Sequence, residues 1–146
     1  MNNPKVSIII ANYNNEIFIN ECINSLRRQT YKNIEIIFFD DFSIDNSIDK
    51  IKNFDEVKII QNIEKTQIGS FNQIKAFKEA YKLSAGEIIL LLDSDDYFYE
   101  TKVEEVVNFF YNNKNAKIIF DYPIIVNNKN FTKVKEKKKI LRSMRQ

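Results

Sequence analysis

Histidine and tryptophan are absent from this 146-residue chain, which holds only one cysteine, two glycines and two prolines. Without histidine, no Ser–His or Cys–His nucleophile and no His-ligated metal can be built. The lone Cys22 has no partner for an internal disulfide, which fits a reducing compartment. So little glycine and proline excludes collagen-like and low-complexity repeats. Neither sign of charge dominates. The 22 Lys+Arg against 20 Asp+Glu leave a formal +2, too weak a field for a nucleic-acid partner. Long apolar runs are missing too. Val6–Ala11 and Ile88–Leu92 fall far short of the roughly 20 residues that span a bilayer. The opening Met1-Asn2-Asn3-Pro4-Lys5 is unlike a signal peptide, so the expected location is cytoplasmic.

What is present is a core. The chain is 44% hydrophobic and 13% aromatic, enough for one ordinary domain. Strand and helix patterns alternate along it. Lys5–Ala11, Ile34–Phe39, Val57–Ile60, Glu87–Leu92 and Ala116–Phe120 read as strands. Glu16–Gln29, Ser70–Leu83 and Thr101–Asn112 read as helices, with a short one after Asp45-Asn46. Asn14 and Asn15 are placed to cap the first helix, whose Ile19, Cys22, Ile23 and Leu26 share a face. Phe71, Ile74, Phe77 or Lys78, and Tyr81 stand at helical spacing and predict the buried stripe of the third helix, and Gly86 stands at a C-cap-like position. Continuous apolar strands alternating with helices predict an α/β fold, a mainly parallel sheet with helices on both faces.

In such sheets ligands bind outside the carboxyl ends of the strands. Three polar clusters fall there: Asn12-Tyr13-Asn14, Asp40-Asp41 and Asp93-Ser94-Asp95-Asp96. With no histidine, metal ligands must be carboxylates, which suit Mg²⁺ or Mn²⁺. Carboxylates one residue apart on a turn can converge on one such cation; the alternative is a solvated loop that caps the next helix. Asp40-Asp41 can accept from a nucleobase N–H or a ribose hydroxyl, or serve as a turn. Tyr13 offers a stacking face and Asn12 and Asn14 offer amides; the alternative is an aromatic packed on the sheet edge. Cys22, on an apolar face, reads as core. Neither G-x-G-x-x-G nor the P-loop pattern occurs.

Taken in order, the stretches KVSIIIANYNNEIFINECINSLRRQTYKNIEIIFFDDFSIDNS and SAGEIILLLDSDDYF resemble the N-terminal half of family 2 glycosyltransferases, which have the GT-A fold. The resemblance covers roughly residues 4–125. It implies a nucleotide-sugar donor, commonly a UDP-sugar, a divalent metal (Mn²⁺ or Mg²⁺) and inversion at the anomeric carbon. It places Ala11 and Tyr13 where the first strand end meets the base, Asp41 against the uracil ring, Asp95 on the metal and Asp93 nearer the ribose or the metal's water shell, with Asn12, Lys75 and Ser94 also among the donor-binding residues. It also implies a saccharide or lipid-linked acceptor and a role in polysaccharide synthesis. Family members often carry Arg between the third and fourth strands. Here Thr66–Ala76 holds no Arg, and Lys75, its only cation, lacks the bidentate fork. The family's catalytic base lies well downstream of the D-x-D motif, and no family base motif follows Asp96.

The expected organisation is therefore a donor-binding domain over residues 1–126 and a basic tail over 127–146, in a chain incomplete for catalysis. The tail carries Lys133, Lys135, Lys137, Lys138, Lys139, Arg142 and Arg145 against Glu136 alone. It suits contact with an anionic membrane face or an acidic partner, and an incomplete domain suits self-association. Two competing readings are a non-catalytic remnant of the same fold and a receiver-type phosphoacceptor domain. Against the second, the acidic pair follows the second strand rather than the first.

Overall fold

Seven residues of β-branched and apolar character, Val6–Asn12, form the central strand β1, buried along its length except at Ala11. The computed structural model describes residues 3–63, 69–120, 124–127, 132–135 and 142–143. The elements follow as α1 (Ile19–Arg27), β2 (Ile34–Asp40), α2 (Ser47–Ile51), β3 (Val57–Gln61), α3 (Gly69–Lys82), β4 (Ile88–Asp93) and α4 (Lys102–Asn112). Strands β3-β2-β1-β4 pair in that order, all parallel. The chain steps outward from β1 to β3, then returns past β1 to add β4 on its other side. That reversal opens a crevice at the carboxyl ends of β1 and β4.

Both faces of the sheet are covered, as the apolar strands require. On one face Ile8, Ile10, Ile36 and Phe38 meet Ile19, Cys22, Ile23 and Leu26 of α1, Ile51 of α2 and Val103 and Val107 of α4. On the other, Ile9 and Ile37 meet Ala80 and Phe77 of α3. Residues Met1–Val107 form one compact unit and Asn108–Gln146 a second. The second contains two antiparallel pairs, β5 (Ile119–Phe120) with β8 (Arg142–Ser143) and β6 (Ile125–Asn127) with β7 (Thr132–Lys135). Asp121, Asn128–Asn130 and Glu136–Lys139 lie outside the described residues. No helix among the described residues is long and apolar enough to cross a membrane.

Four local expectations need correction. The first helix begins at Ile19, because Asn14 adopts a positive φ of 53° and Phe18 N–H closes a turn on Asn15 O. Neither asparagine caps it. In α3 the buried face runs through Phe77 and Ala80, whereas Ile74 and Tyr81 are 65% and 62% exposed; the side chain of Phe71 lies outside the described ones. The strand expected over Ala116–Phe120 is only β5, paired antiparallel with β8 rather than added to the parallel sheet.

Gly86 is not a helix cap, for α3 has ended four residues earlier and no glycine has positive φ. It is required by close approach: a Cβ there would lie 2.5 Å from both Ser7 N and Ser7 Oγ. Ser7 sits in the central strand, so its backbone cannot yield cheaply. Gly86→Ala is expected to cost about 3 kcal/mol and to lower the thermal midpoint, followed by circular dichroism, by about 10 °C. An unchanged midpoint would show that the start of β4 can slide past β1.

Candidate functional site

The parallel register brings four polar strand ends into one row. Asn12 pairs with Asp40, Asp40 with Gln61, and Ala11 with Asp93. Two sets of hydrogen bonds then fix the loops that leave these ends.

The first set joins β1, β2 and β3. Asp40 has no exposed surface. Its carboxylate accepts from Asn12 Nδ2 (2.8 Å), Ser43 Oγ (2.6 Å) and Ser43 N (2.9 Å). Ser43 Oγ also accepts from Asn14 N, and Asn14 Oδ1 accepts from Ile44 N. Asp41 N donates to Asn12 O, and Asp41 Oδ1 accepts from Asn62 Nδ2 at 3.0 Å. Phe42 takes a positive φ of 61° to make the turn. Asp41 and Tyr13 are thereby held beside each other's loops, with Asp41 half-buried and Tyr13 43% exposed.

The second set crosses the crevice. Ser94 N donates to Ala11 O (3.1 Å), and Asn15 Nδ2 donates to the fully buried Ser94 Oγ (2.9 Å). Asp96 N closes the turn on Asp93 O at 3.0 Å. Asp93, Asp95 and Asp96 are exposed on this turn. Their charges are close enough to act on one another. Partial desolvation, then Asp95, then Asp93, raise the Asp96 carboxyl above its ordinary value. Beneath the turn, burial and then Asp96, Asp95, Asp93 and Glu21 push the Cys22 thiol up to about 12. Cys22 is thus an inert core residue, as its place on α1 implies.

Tyr13, Asp41, Asp93 and Asp95 accordingly share one edge with solvent access. The four other sequence-derived candidates are placed differently. Ser94 is buried and its hydroxyl accepts from Asn15, so its side chain holds the turn. Asn12 is 3% exposed and spends its amide N–H₂ on Asp40 and Ser43. Lys75 lies on the outer side of α3, opposite Phe77 and Ala80, where its charge acts on Glu79. Ala11 is half-buried, with its carbonyl committed to Ser94.

Residues passed over in the sequence do much of the positioning. Gln29 is fully buried; its Nε2 donates to Ser25 O and Tyr99 O, and its Oε1 accepts from Val103 N. With Thr30 N donating to Glu100 O, it fastens the segment after the acidic turn to the end of α1. Ser43, Asn62 and Asn15 do the same for the loops. Small polar residues in a loop read as turn formers from sequence alone, so their partners were invisible.

Among the described residues no group of three or more His, Cys, Asp or Glu is placed to hold a metal by protein ligands alone. The donor set still suits Mg²⁺ or Mn²⁺. Such ions are commonly bound through one or two carboxylates, the substrate's phosphates supplying the remainder, and Asp93 and Asp95 are two exposed carboxylates on one turn.

A parallel sheet with an acidic turn at its switch point fits the fold of the GT-A glycosyltransferases. Comparison with known proteins agrees. Residues 7–146 match Glycosyl transferase family 2. The chain belongs to that family, which removes the receiver-domain alternative. It is 40% identical over 120 residues to the UDP-Glc:α-D-GlcNAc-diphosphoundecaprenol β-1,3-glucosyltransferase WfaP of Escherichia coli, covering 80% of this chain and 44% of that protein. Its structure is similar to S. aureus TarS 1–349 in complex with UDP-GlcNAc (TM-score 0.61, 29% identity), covering 74% of this chain and 31% of that one. A mannosyltransferase from Pyrobaculum calidifontis, in complex with GDP-Man and Mn²⁺, shares the fold (TM-score 0.69, 18% identity) over 88% of this chain and 37% of its own. The chain spans less than half the length of each of these proteins.

Proposed function

We propose that this chain provides the nucleotide-sugar-binding part of an inverting, metal-dependent glycosyltransferase that uses a UDP-sugar in polysaccharide synthesis. The observation that carries this reading is the Ala11–Asp93 register. It sets the Asp93–Asp96 turn beside the end of β1 at the switch point, with Tyr13 and Asp41 along the same edge. The TarS complexes with UDP-GlcNAc and with UDP, at 29% and 30% identity, support a uridine nucleotide.

Each residue has a role in this reading. Tyr13 presents its ring to the base. Asp41, held by Asn62, accepts from the base N–H. Asp93 and Asp95 face the ribose and diphosphate and are the residues that would hold Mn²⁺ or Mg²⁺. Such a cation neutralises charge on the departing diphosphate. Without a counter-charge, three carboxylates crowd one turn; partial burial first, and then its charged neighbours Asp95 and Asp93, raise the Asp96 carboxyl. We assign residues 1–126 to donor binding. The attacking hydroxyl belongs to a saccharide or lipid-linked acceptor, and the basic residues of 127–146 suit an anionic membrane face that presents it.

The test is calorimetric titration of the folded chain with UDP, with and without Mn²⁺. UDP binding that Mn²⁺ strengthens is expected; no binding with or without Mn²⁺ would overturn the reading and leave a fold without donor function. In the same assay Asp41→Ala is expected to weaken UDP about tenfold, as the loss of a hydrogen bond to a charged group implies. Mn²⁺ binding alone should be unaffected. Equal loss of both would remove Asp41 from the base.

A further inference from the structure

We propose that Asn15 and Ser94 act as a pair of positioning residues that set the Asp93–Asp95 turn for its cation, an inference that rests on the donor-site reading above. Three observations combine. Ser94 stands between the two carboxylates in sequence, yet its side chain has no exposed surface, so it points inward while they point outward. Its hydroxyl is met by Asn15 Nδ2 at 2.9 Å, across 79 positions of sequence and across the crevice between β1 and β4. Its backbone N–H is anchored to Ala11 O at 3.1 Å.

Ser94 is therefore pinned at two points to β1 and the loop that follows it, while the residues on either side carry the charge. The pins work against a known force. Asp93, Asp95 and Asp96 carry like charges on one exposed turn, and an unpinned turn would relax by spreading them apart. Small, hard cations tolerate little change in ligand spacing. The Asn15 bond thus resists the spreading before a cation arrives. Asn15 is itself held by the turn in which Phe18 N–H reaches its carbonyl, so the bond does not depend on ligand.

The experiment uses the full chain and three variants, Asn15→Ala, Ser94→Ala and the double variant. Bound Mn²⁺ is counted from the six-line electron paramagnetic resonance signal of the free ion, with UDP present. UDP affinity without metal is measured by calorimetry. Each single variant is expected to weaken Mn²⁺ by about tenfold, the low end for residues that support a metal ligand. Metal-free UDP affinity should stay within twofold. The double variant should be no weaker than either single one, because each removes the same bond. Hydrogen exchange in the ligand-free protein adds a readout independent of nucleotide: the Ser94 and Asp96 amides should exchange faster in Asn15→Ala while the amides within β1 do not.

Mn²⁺ affinity within twofold of the unsubstituted chain in both single variants would overturn the pairing. So would losses that multiply in the double variant, or metal-free UDP affinity falling in step with Mn²⁺. If the unsubstituted chain itself shows no UDP-dependent Mn²⁺ binding, the donor-site reading falls and this inference falls with it.

Discussion

Asp95→Asn is expected to weaken Mn²⁺-dependent UDP binding by about a hundredfold, the upper end of what loss of a merely supporting residue causes, with the fold intact. The asymmetry follows from placement. Asp95 is exposed on the turn after β4 and lies outside both buried clusters, so its substitution should change stability by no more than about 0.5 kcal/mol. Any change should be favourable, because Asp95 is one of the two charges that raise the Asp96 carboxyl. The variant keeps the shape of the side chain and removes only its charge. Calorimetry with and without Mn²⁺ reads the binding, and thermal denaturation reads the fold. A variant that binds UDP–Mn²⁺ like the parent chain would take Asp95 out of the metal site. A variant that unfolds would contradict its surface placement.

At the opposite end of the sheet, Glu35→Ala is expected to cost about 3 kcal/mol and to lower the thermal midpoint by about 10 °C. The Glu35 side chain is 7% exposed and accepts from Ser7 Oγ (2.5 Å), Ala85 N (2.6 Å) and Lys58 Nζ (2.8 Å), with Lys5 Nζ at 3.5 Å. The lysines are 53% and 40% exposed and can return to water. Ala85 N–H and the Ser7 hydroxyl hydrogen are less free to do so, and their lost acceptor dominates the cost. Burial alone would push the Glu35 carboxyl up. Hydrogen bonds from Lys58, Ser7 and Ala85 more than reverse that and hold it at about 2.

This depressed value ties stability to pH in a definite direction. The stabilisation is fully present above the ordinary glutamate value of 4.5 and is lost as pH falls from there toward 2. A shift of that size corresponds to about 3 kcal/mol. Urea midpoints at pH 6 and pH 3 should therefore converge between the parent chain and Glu35→Ala. Parallel curves, with the gap unchanged at pH 3, would mean that charge at Glu35 contributes nothing.

The parallel sheet and the row of polar strand ends were legible because they are written in local pattern. Apolar runs such as Val6–Ala11 and Ile88–Leu92 have few alternatives to a buried parallel strand, and each turns polar where it leaves the core. The same reasoning failed in the second unit and on the face of α3. Ala116–Phe120 has the composition of a strand, but which partner it takes is set by what else is in reach. In α3, Ile74 and Phe77 differ little as residues. Only the seat of Ala80 against Ile9 and Ile37 decides which flank is covered.

For this chain, then, the order of residues alone determined the class of fold, the edge of the sheet where the polar strand ends gather, and membership of a glycosyltransferase family. Those depend on strand periodicity and on motifs contiguous in sequence. Which polar residues face solvent and which hold the loops was decided only by tertiary structure. Asn12, Ser94 and Asp40 look like Tyr13, Asp95 and Asp41 on paper, one residue away in each case. Burial separates them. A strand end alternates its side chains between interior and solvent, and hydrogen bonds spanning 28 to 79 positions of sequence settle which side each takes.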